Sequence, residues 1–241
     1  MKVVNSQMSL RAFGIAALTL SLLLVGCSGS SSSPSATTIA SSSAAGTPTR
    51  FTAQVWADNW FALYVNGKKV GEDSVPITTV RSFNAETITF SATYPLTIAL
   101  ISKDYVEGES GLEYIGTPRQ QMGDGGFIAQ FTDTTTGNII ATTSSAWKGL
   151  VTFRGPLNTE CVRSTEPDTV CEHETLPEPD EWTSPTFNDS LWVAAREYSA
   201  AEVGPKEGYD TVTWAPAAKL IWSDDLKVDN TILWRITVSQ P

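Results

Sequence analysis

The stretch "DNWFALYVNGKKVGED", residues 58–73, decides the fold class. Apolar residues run up to Val65, Asn66-Gly67 interrupts them, and lysines and acids follow. Asn-Gly supplies the positive φ angles that a two-residue hairpin turn needs. Phe61, Leu63 and Val65 then share one face, Tyr64 takes the other, and the return strand runs from Lys68 to Gly71. The same period of two continues outward. In "FTAQVWAD" (51–58), Phe51, Ala53, Val55 and Ala57 alternate with Thr52, Gln54 and Trp56. "TITFSA", "LTIALIS", "FIAQFTD", "NIIATT" and "TILWRITV" are further short β-rich runs, separated by Tyr94-Pro95, "GDGG" (123–126) and Thr136-Gly137-Asn138. Helical periodicity is weak throughout; "SLWVAAREYSAAEVG" (190–204) holds a turn or two. Many short strands at this spacing predict an all-β fold, an antiparallel β-sandwich or jelly roll.

The N-terminus has a different character. Lys2 and Arg11 precede the short apolar run "AFGIAALTLSLLLV", which reads as a secretory signal over residues 1–26. It ends in Leu24-Val25-Gly26-Cys27, which resembles the lipobox of bacterial lipoproteins. The resemblance implies cleavage before Cys27 and acylation of that residue, with the acyl chains as a stable membrane anchor. Ser28 stands where an aspartate would point to inner-membrane retention, so the expected location is the cell envelope at the outer membrane. Residues 28–50 contain nine serines and almost nothing to bury. Such a segment is a tether, with an end-to-end distance of roughly 25 Å as a coil. Residues 51–241 carry all eight tryptophans and are long enough for one domain with a sizeable core. Removing Lys2 and Arg11 with the signal lowers the formal charge from −10 by two more. That acidity argues against nucleic acid as a partner and suits neutral ligands or divalent cations.

Cys161 and Cys171 remain in an exported chain and are expected to form a disulfide closing "CVRSTEPDTVC". A zinc site lacks a fourth ligand beside His173. His173, the sole histidine, sits in an acidic, proline-rich loop and reads as surface. "GDGG" lacks the Lys-Ser/Thr that a phosphate loop requires.

Several segments, in order, resemble galactose-binding-like jelly rolls, the accessory sugar-binding domains of glycoside hydrolases such as rhamnosidases and β-galactosidases. They are "ADNWFALYVNGKKVGE", "GDGGFIAQF", "TTGNIIATTSSAWKG" with Trp147 and Lys148, and "FNDSLWVAARE" with Asp189, Ser190 and Trp192. "AAKLIWSDD" and "TILWRITV" complete the series. The resemblance spans most of 51–241 and implies a jelly roll with sugar-binding loops. Much of it has a structural cause: Trp147 and Trp192 suit core or edge packing, and Asp189 and Ser190 suit a turn.

The loop between the runs at 96–102 and 126–132 is where such a site is expected. Sugars need aromatic faces for stacking and fixed polar groups for their hydroxyls. Tyr105, Glu113, Tyr114, Arg119, Gln120 and Gln121 offer that mixture, with Trp60 beside them. Calcium is the candidate structural cation, with Asp104, Glu107 and Asp124 as candidate ligands, although no EF-hand pattern is present. The leading expectation is a non-catalytic lipoprotein that binds a glycan or polysaccharide. A structural or protein-interaction lipoprotein of the envelope is the alternative. A small glycoside hydrolase acting through loop carboxylates is the third.

Overall fold

The computed structural model describes residues 46–79 and 81–241; the expected signal, the expected lipidation site Cys27 and most of the expected tether lie outside the described residues. The first half forms β1 (Thr49–Asp58), β2 (Trp60–Val65), β3 (Lys68–Glu72), β4 (Asn84–Ala92), β5 (Leu96–Lys103), β6 (Leu112–Glu113), β7 (Gln121–Met122) and β8 (Gly126–Asp133). The second half forms β9 (Ile139–Thr142), β10 (Lys148–Arg154), α1 (Pro167–Val170), β11 (Glu174–Thr175), β12 (Val193–Ala194), β13 (Arg196–Tyr198), α2 (Ala200–Val203), β14 (Leu220–Trp222) and β15 (Asp229–Val238). The architecture is the expected all-β antiparallel sandwich. One sheet runs β13–β14–β8–β1–β4, with β9 also on β8. The other runs β11–β10–β15–β5–β2–β3, with β12 also on β10. β6 and β7 form a separate small hairpin.

The residues read as inward-facing are the core. Phe51, Ala53, Val55, Phe61, Leu63 and Val65 join Leu96, Ile98, Leu100, Phe127, Phe131, Ile232 and Trp234 in one buried cluster between the sheets. Each large apolar side chain buried there contributes about 1.5–3 kcal/mol. Asn66 and Gly67 adopt φ of 50° and 80°, the values that the hairpin turn requires. Asn66 does more than turn the chain: Nδ2 donates to the Thr93 carbonyl at 3.0 Å, and Oδ1 accepts from the Thr97 N–H at 2.8 Å. The hairpin is thereby tied to the corner between β4 and β5.

Alternation fails where the outer faces are covered. Trp56 has the parity of the outward face, yet it is fully buried. Its ring meets Tyr209 edge-on, and its Nε1 donates to the Glu207 carbonyl at 3.0 Å. The segment 199–214 therefore forms a strap over the first sheet. A second strap, around residues 178–194, lays Trp182, Phe187 and Trp192 over Ala62, Ala99, Ile101 and Leu233 on the second sheet. With both faces covered, β5 is buried from Leu96 through Ser102 instead of alternating.

Arg235 pins that second strap. It is only 2 % exposed. Its Nε donates to Asp189 Oδ2 at 3.0 Å, and its Nη atoms donate to the carbonyls of Trp182 and Ser184. Lys148 Nζ reaches the other Asp189 oxygen at 3.1 Å. Asp189 also accepts the Trp192 N–H on its carbonyl, so the expected turn before that tryptophan is present. Cys161 and Cys171 are joined in a disulfide, their Cα atoms 5.3 Å apart.

Candidate functional site

The chain passes from the first sheet to the second through a single residue, Asn59, between β1 and β2. Asp58 closes β1 at this crossing. Asp104 follows directly on β5, and Asp124 lies two residues before β8. Three strand ends thus deliver three aspartates to one corner of the sandwich. Their carboxylates each place an oxygen within 4.8 Å of the others. Lys206, from the strap over the first sheet, enters the same corner. Its ammonium donates to Asp58 Oδ2 and to both Asp124 oxygens, each at 2.9 Å. Asp104 Oδ2 accepts the Asp124 N–H at 3.0 Å. Gly123 is what permits this approach, because a Cβ there would stand 2.0 Å from Asp104 Oδ2.

The electrostatics follow from burial. Loss of water pushes Asp58 up to about 7, with Asp124 and Glu113 adding to the rise and Lys206 opposing it. Burial drives Asp104 well above the ordinary carboxylate range, and the neighbouring Asp58, Glu113 and Asp124 push the same way. Glu113 rises to about 7 through burial and through Asp124. For Lys206, burial disfavours the ammonium, but the Asp58 and Asp124 carboxylates outweigh that and hold it charged. The corner is therefore a group of acids, buried except for the half-exposed Asp124, around one cation. It can share protons or hold positive charge.

The residues expected to bind sugar have mixed placements. Trp60 is half-buried, opposite Lys103 in the ladder, with the Lys103 ammonium 5.7 Å from its ring centre. Tyr105 is half-buried too, and its N–H donates to Asn59 Oδ1 at 2.6 Å. These two share one rim. Glu113 is buried and accepts from Gln121 Nε2 at 3.0 Å. Tyr114 is capped by the Arg119 guanidinium, 4.3 Å from its ring centre. Gln120 Nε2 is taken up by the carbonyls of Val162 and Ser164. Leu112, Ile115 and Met122 pack with Val162 against the disulfide. The loop is accordingly closed upon the Cys161–Cys171 segment by Gln120 and by these apolar contacts. Of the expected calcium ligands, Asp104 and Asp124 come together; exposed Glu107 instead accepts the Ile115 N–H at 3.0 Å.

Sequence reasoning missed Asp58 and Lys206 as members of the corner. Asp58 was visible at a strand end, where an acid breaks the apolar pattern. Nothing local marks Lys206, which reaches Asp58 across 148 positions. His173 is exposed, as read, and stacks on Phe153.

A second feature lies beside β10. A groove of about 550 Å³ runs from Trp234 of the core out to Leu157, Leu176, Leu191 and Val193. Those four are among the six large apolar side chains that the described residues leave exposed, and Leu191 is 93 % exposed. Acids border it at Glu174, Asp224 and Asp225, while Arg154 is held by Asp229 at 3.0 Å. The edge of β10 is covered by β12 at Lys148 and Gly149 and by β11 at Phe153 and Arg154. Among the described residues, Leu150 and Val151 have no strand residue opposite them on that edge.

No family model matches the chain, and no curated protein or solved structure matches it either.

Proposed function

We propose that the protein is a non-catalytic docking module, held at the outer membrane by lipid on Cys27 and a serine-rich tether. Its partner is an envelope protein that presents an extended apolar segment flanked by basic residues. The observation that carries this reading is the gathering of Leu157, Leu176, Leu191 and Val193 in one groove. Exposed apolar side chains scattered singly need no explanation, but a concentrated patch marks an interaction site. The acidic border complements a basic flank. The interrupted edge of β10 suits an extended chain, which adds main-chain hydrogen bonds to pocket contacts.

The test is co-purification of the full chain from its own envelope, followed by Leu191→Asp and Val193→Asp. One stoichiometric protein, lost in both variants while their melting is unchanged, supports the reading. Retention by both variants, or recovery of no protein partner, overturns it.

A second reading is favoured by the shared rim of Trp60 and Tyr105 with Lys103. The resemblance to galactose-binding-like modules makes a glycan its ligand. Binding on a glycan array, abolished by Trp60→Ala and by Tyr105→Ala, supports it. An array without signal removes it.

A further inference from the structure

The corner of buried acids holds less positive charge than its carboxylates call for. Asp58, Asp104, Asp124 and Glu113 face one ammonium, that of Lys206. Hydrogen bonding leaves the same imbalance. Lys206 takes Asp58 Oδ2 and both oxygens of Asp124, and the Asp124 N–H takes Asp104 Oδ2. Asp58 Oδ1 and Asp104 Oδ1 are buried and accept no hydrogen bond from the protein. Asp104 is only 3 % exposed, and Asp58 is wholly buried. Buried polar oxygens in native proteins have partners, so two unpartnered ones in a single acidic corner call for an explanation.

We propose that Asp58, Asp104 and Asp124 form a binding site for a divalent cation of the calcium class. The donors are all carboxylate oxygens, with no imidazole or thiolate among them, which selects a hard cation over zinc or copper. Calcium–oxygen distances of about 2.3–2.6 Å place opposed oxygens about 4.6–5.2 Å apart, and the span of this group, within 4.8 Å, accommodates such a shell. Asp58 Oδ1 and Asp104 Oδ1 supply the unshared oxygens. Asp124 is shared with Lys206, whose ammonium competes for it. The site joins the ends of β1 and β5 to the approach to β8, so a bound cation would brace both sheets at their crossing. The proposal stands apart from the groove, because cation binding is read directly and no partner enters the measurement.

The experiment is calorimetric titration of the metal-free full chain in detergent with calcium, and separately with magnesium, alongside thermal melting. Wild type binds a single calcium, in preference to magnesium, and melts higher with it. Asp104→Asn weakens binding by about tenfold or more, as expected for loss of a charged ligand. Asp124→Asn does the same, and because Asp124 is half-exposed that variant keeps its fold. Lys206→Met tightens binding by removing the competing ammonium. Glu107→Gln changes nothing, which separates the corner from the general acidity of the surface. Absence of calcium binding at millimolar concentration in both wild type and Lys206→Met overturns the proposal. So does binding that survives both Asp104→Asn and Asp124→Asn undiminished.

Discussion

The ammonium of Lys206 lies 2.9 Å from Asp58 Oδ2, although 148 positions separate the two residues. That contact joins the strap over the first sheet to the end of β1, and it does so inside a group of acids that burial has made reluctant to ionise. The pair consequently couples the folding of the strap to the protonation of the corner.

The first prediction is a pH profile. Burial pushes Asp58 and Glu113 up to about 7 and Asp73 up to about 6, and it drives Asp104 upward as well. Between the ordinary carboxylate range and about pH 7 the folded chain therefore binds more protons than the unfolded chain. The free energy of unfolding falls as pH rises through that window. In metal-free buffer, melting should rise by several degrees between about pH 8 and about pH 5, since 1 kcal/mol moves Tm by about 2–4 °C in a domain of this size. At lower pH the sign reverses at Asp189. Burial would raise this group, but the hydrogen bonds from Arg235 and Lys148 outweigh it and hold it low. Its contribution is lost as pH falls through its folded value. Thermal melts across the range check this, and a flat profile that Asp104→Asn leaves unaltered counts against it.

The second concerns Arg235. Truncation to Met leaves Asp189 partly buried without its guanidinium and frees the carbonyls of Trp182 and Ser184. Breaking a buried pair from one side costs about 3–5 kcal/mol. Arg235→Met should lower Tm strongly and open residues 178–194 to proteolysis before the sandwich itself unfolds. Adding Asp189→Leu should recover part of the loss, because the carboxylate that Arg235→Met leaves with Lys148 alone is then gone. Chemical denaturation of the single and double variants measures both steps.

The third is the disulfide. Its ends are 10 positions apart, and a closed loop of this size stabilises by about 3 kcal/mol in the chain-entropy view. Cys161→Ser with Cys171→Ser should lower stability by about that amount. The effect should be concentrated in the β6–β7 hairpin, since Leu112 and Met122 pack on the disulfide. Hydrogen exchange resolves this: amides around Leu112 should lose protection while those of β1 and β5 keep it.

The fourth is Gly123→Ala. The added methyl would meet Asp104 Oδ2 at 2.0 Å, and Asp104 is buried. Overpacking of this kind costs about 1–3 kcal/mol. The variant should melt lower and lose part of the pH dependence, because the acids are forced apart. A variant as stable as wild type counts against a tightly packed corner.

Much of the fold was legible because its signals are local. Asn66-Gly67 announces a turn by backbone sterics alone. Phe51, Ala53, Val55, Phe61, Leu63 and Val65 announce an inward face by parity, and two cysteines in a chain that reads as exported announce their bond. These depend on neighbours one or two positions away, or on a pattern that any sandwich would satisfy. The straps escaped such reading. Trp56 has outward parity and becomes buried only because Tyr209 and Glu207 come across to cover it. Arg235 looks like a polar residue in a strand until Asp189, Trp182 and Ser184 close around it.

The candidate site divides in the same way. Composition located acids and aromatics in the loop after β5, and Asp104 and Asp124 do meet there. The sequence by itself determined the two-layer β framework, since alternation and turn chemistry act through the nearest bonds. Only tertiary structure decided that Asp58 and Lys206 complete the corner, that Gln120 is used to shut the loop, and that four aliphatic side chains gather in one groove. A charge, an aromatic face or an exposed leucine takes its meaning from what stands opposite it in space. Across a hundred or more residues, that partner is chosen by the packing of the sheets and not by the order of the chain.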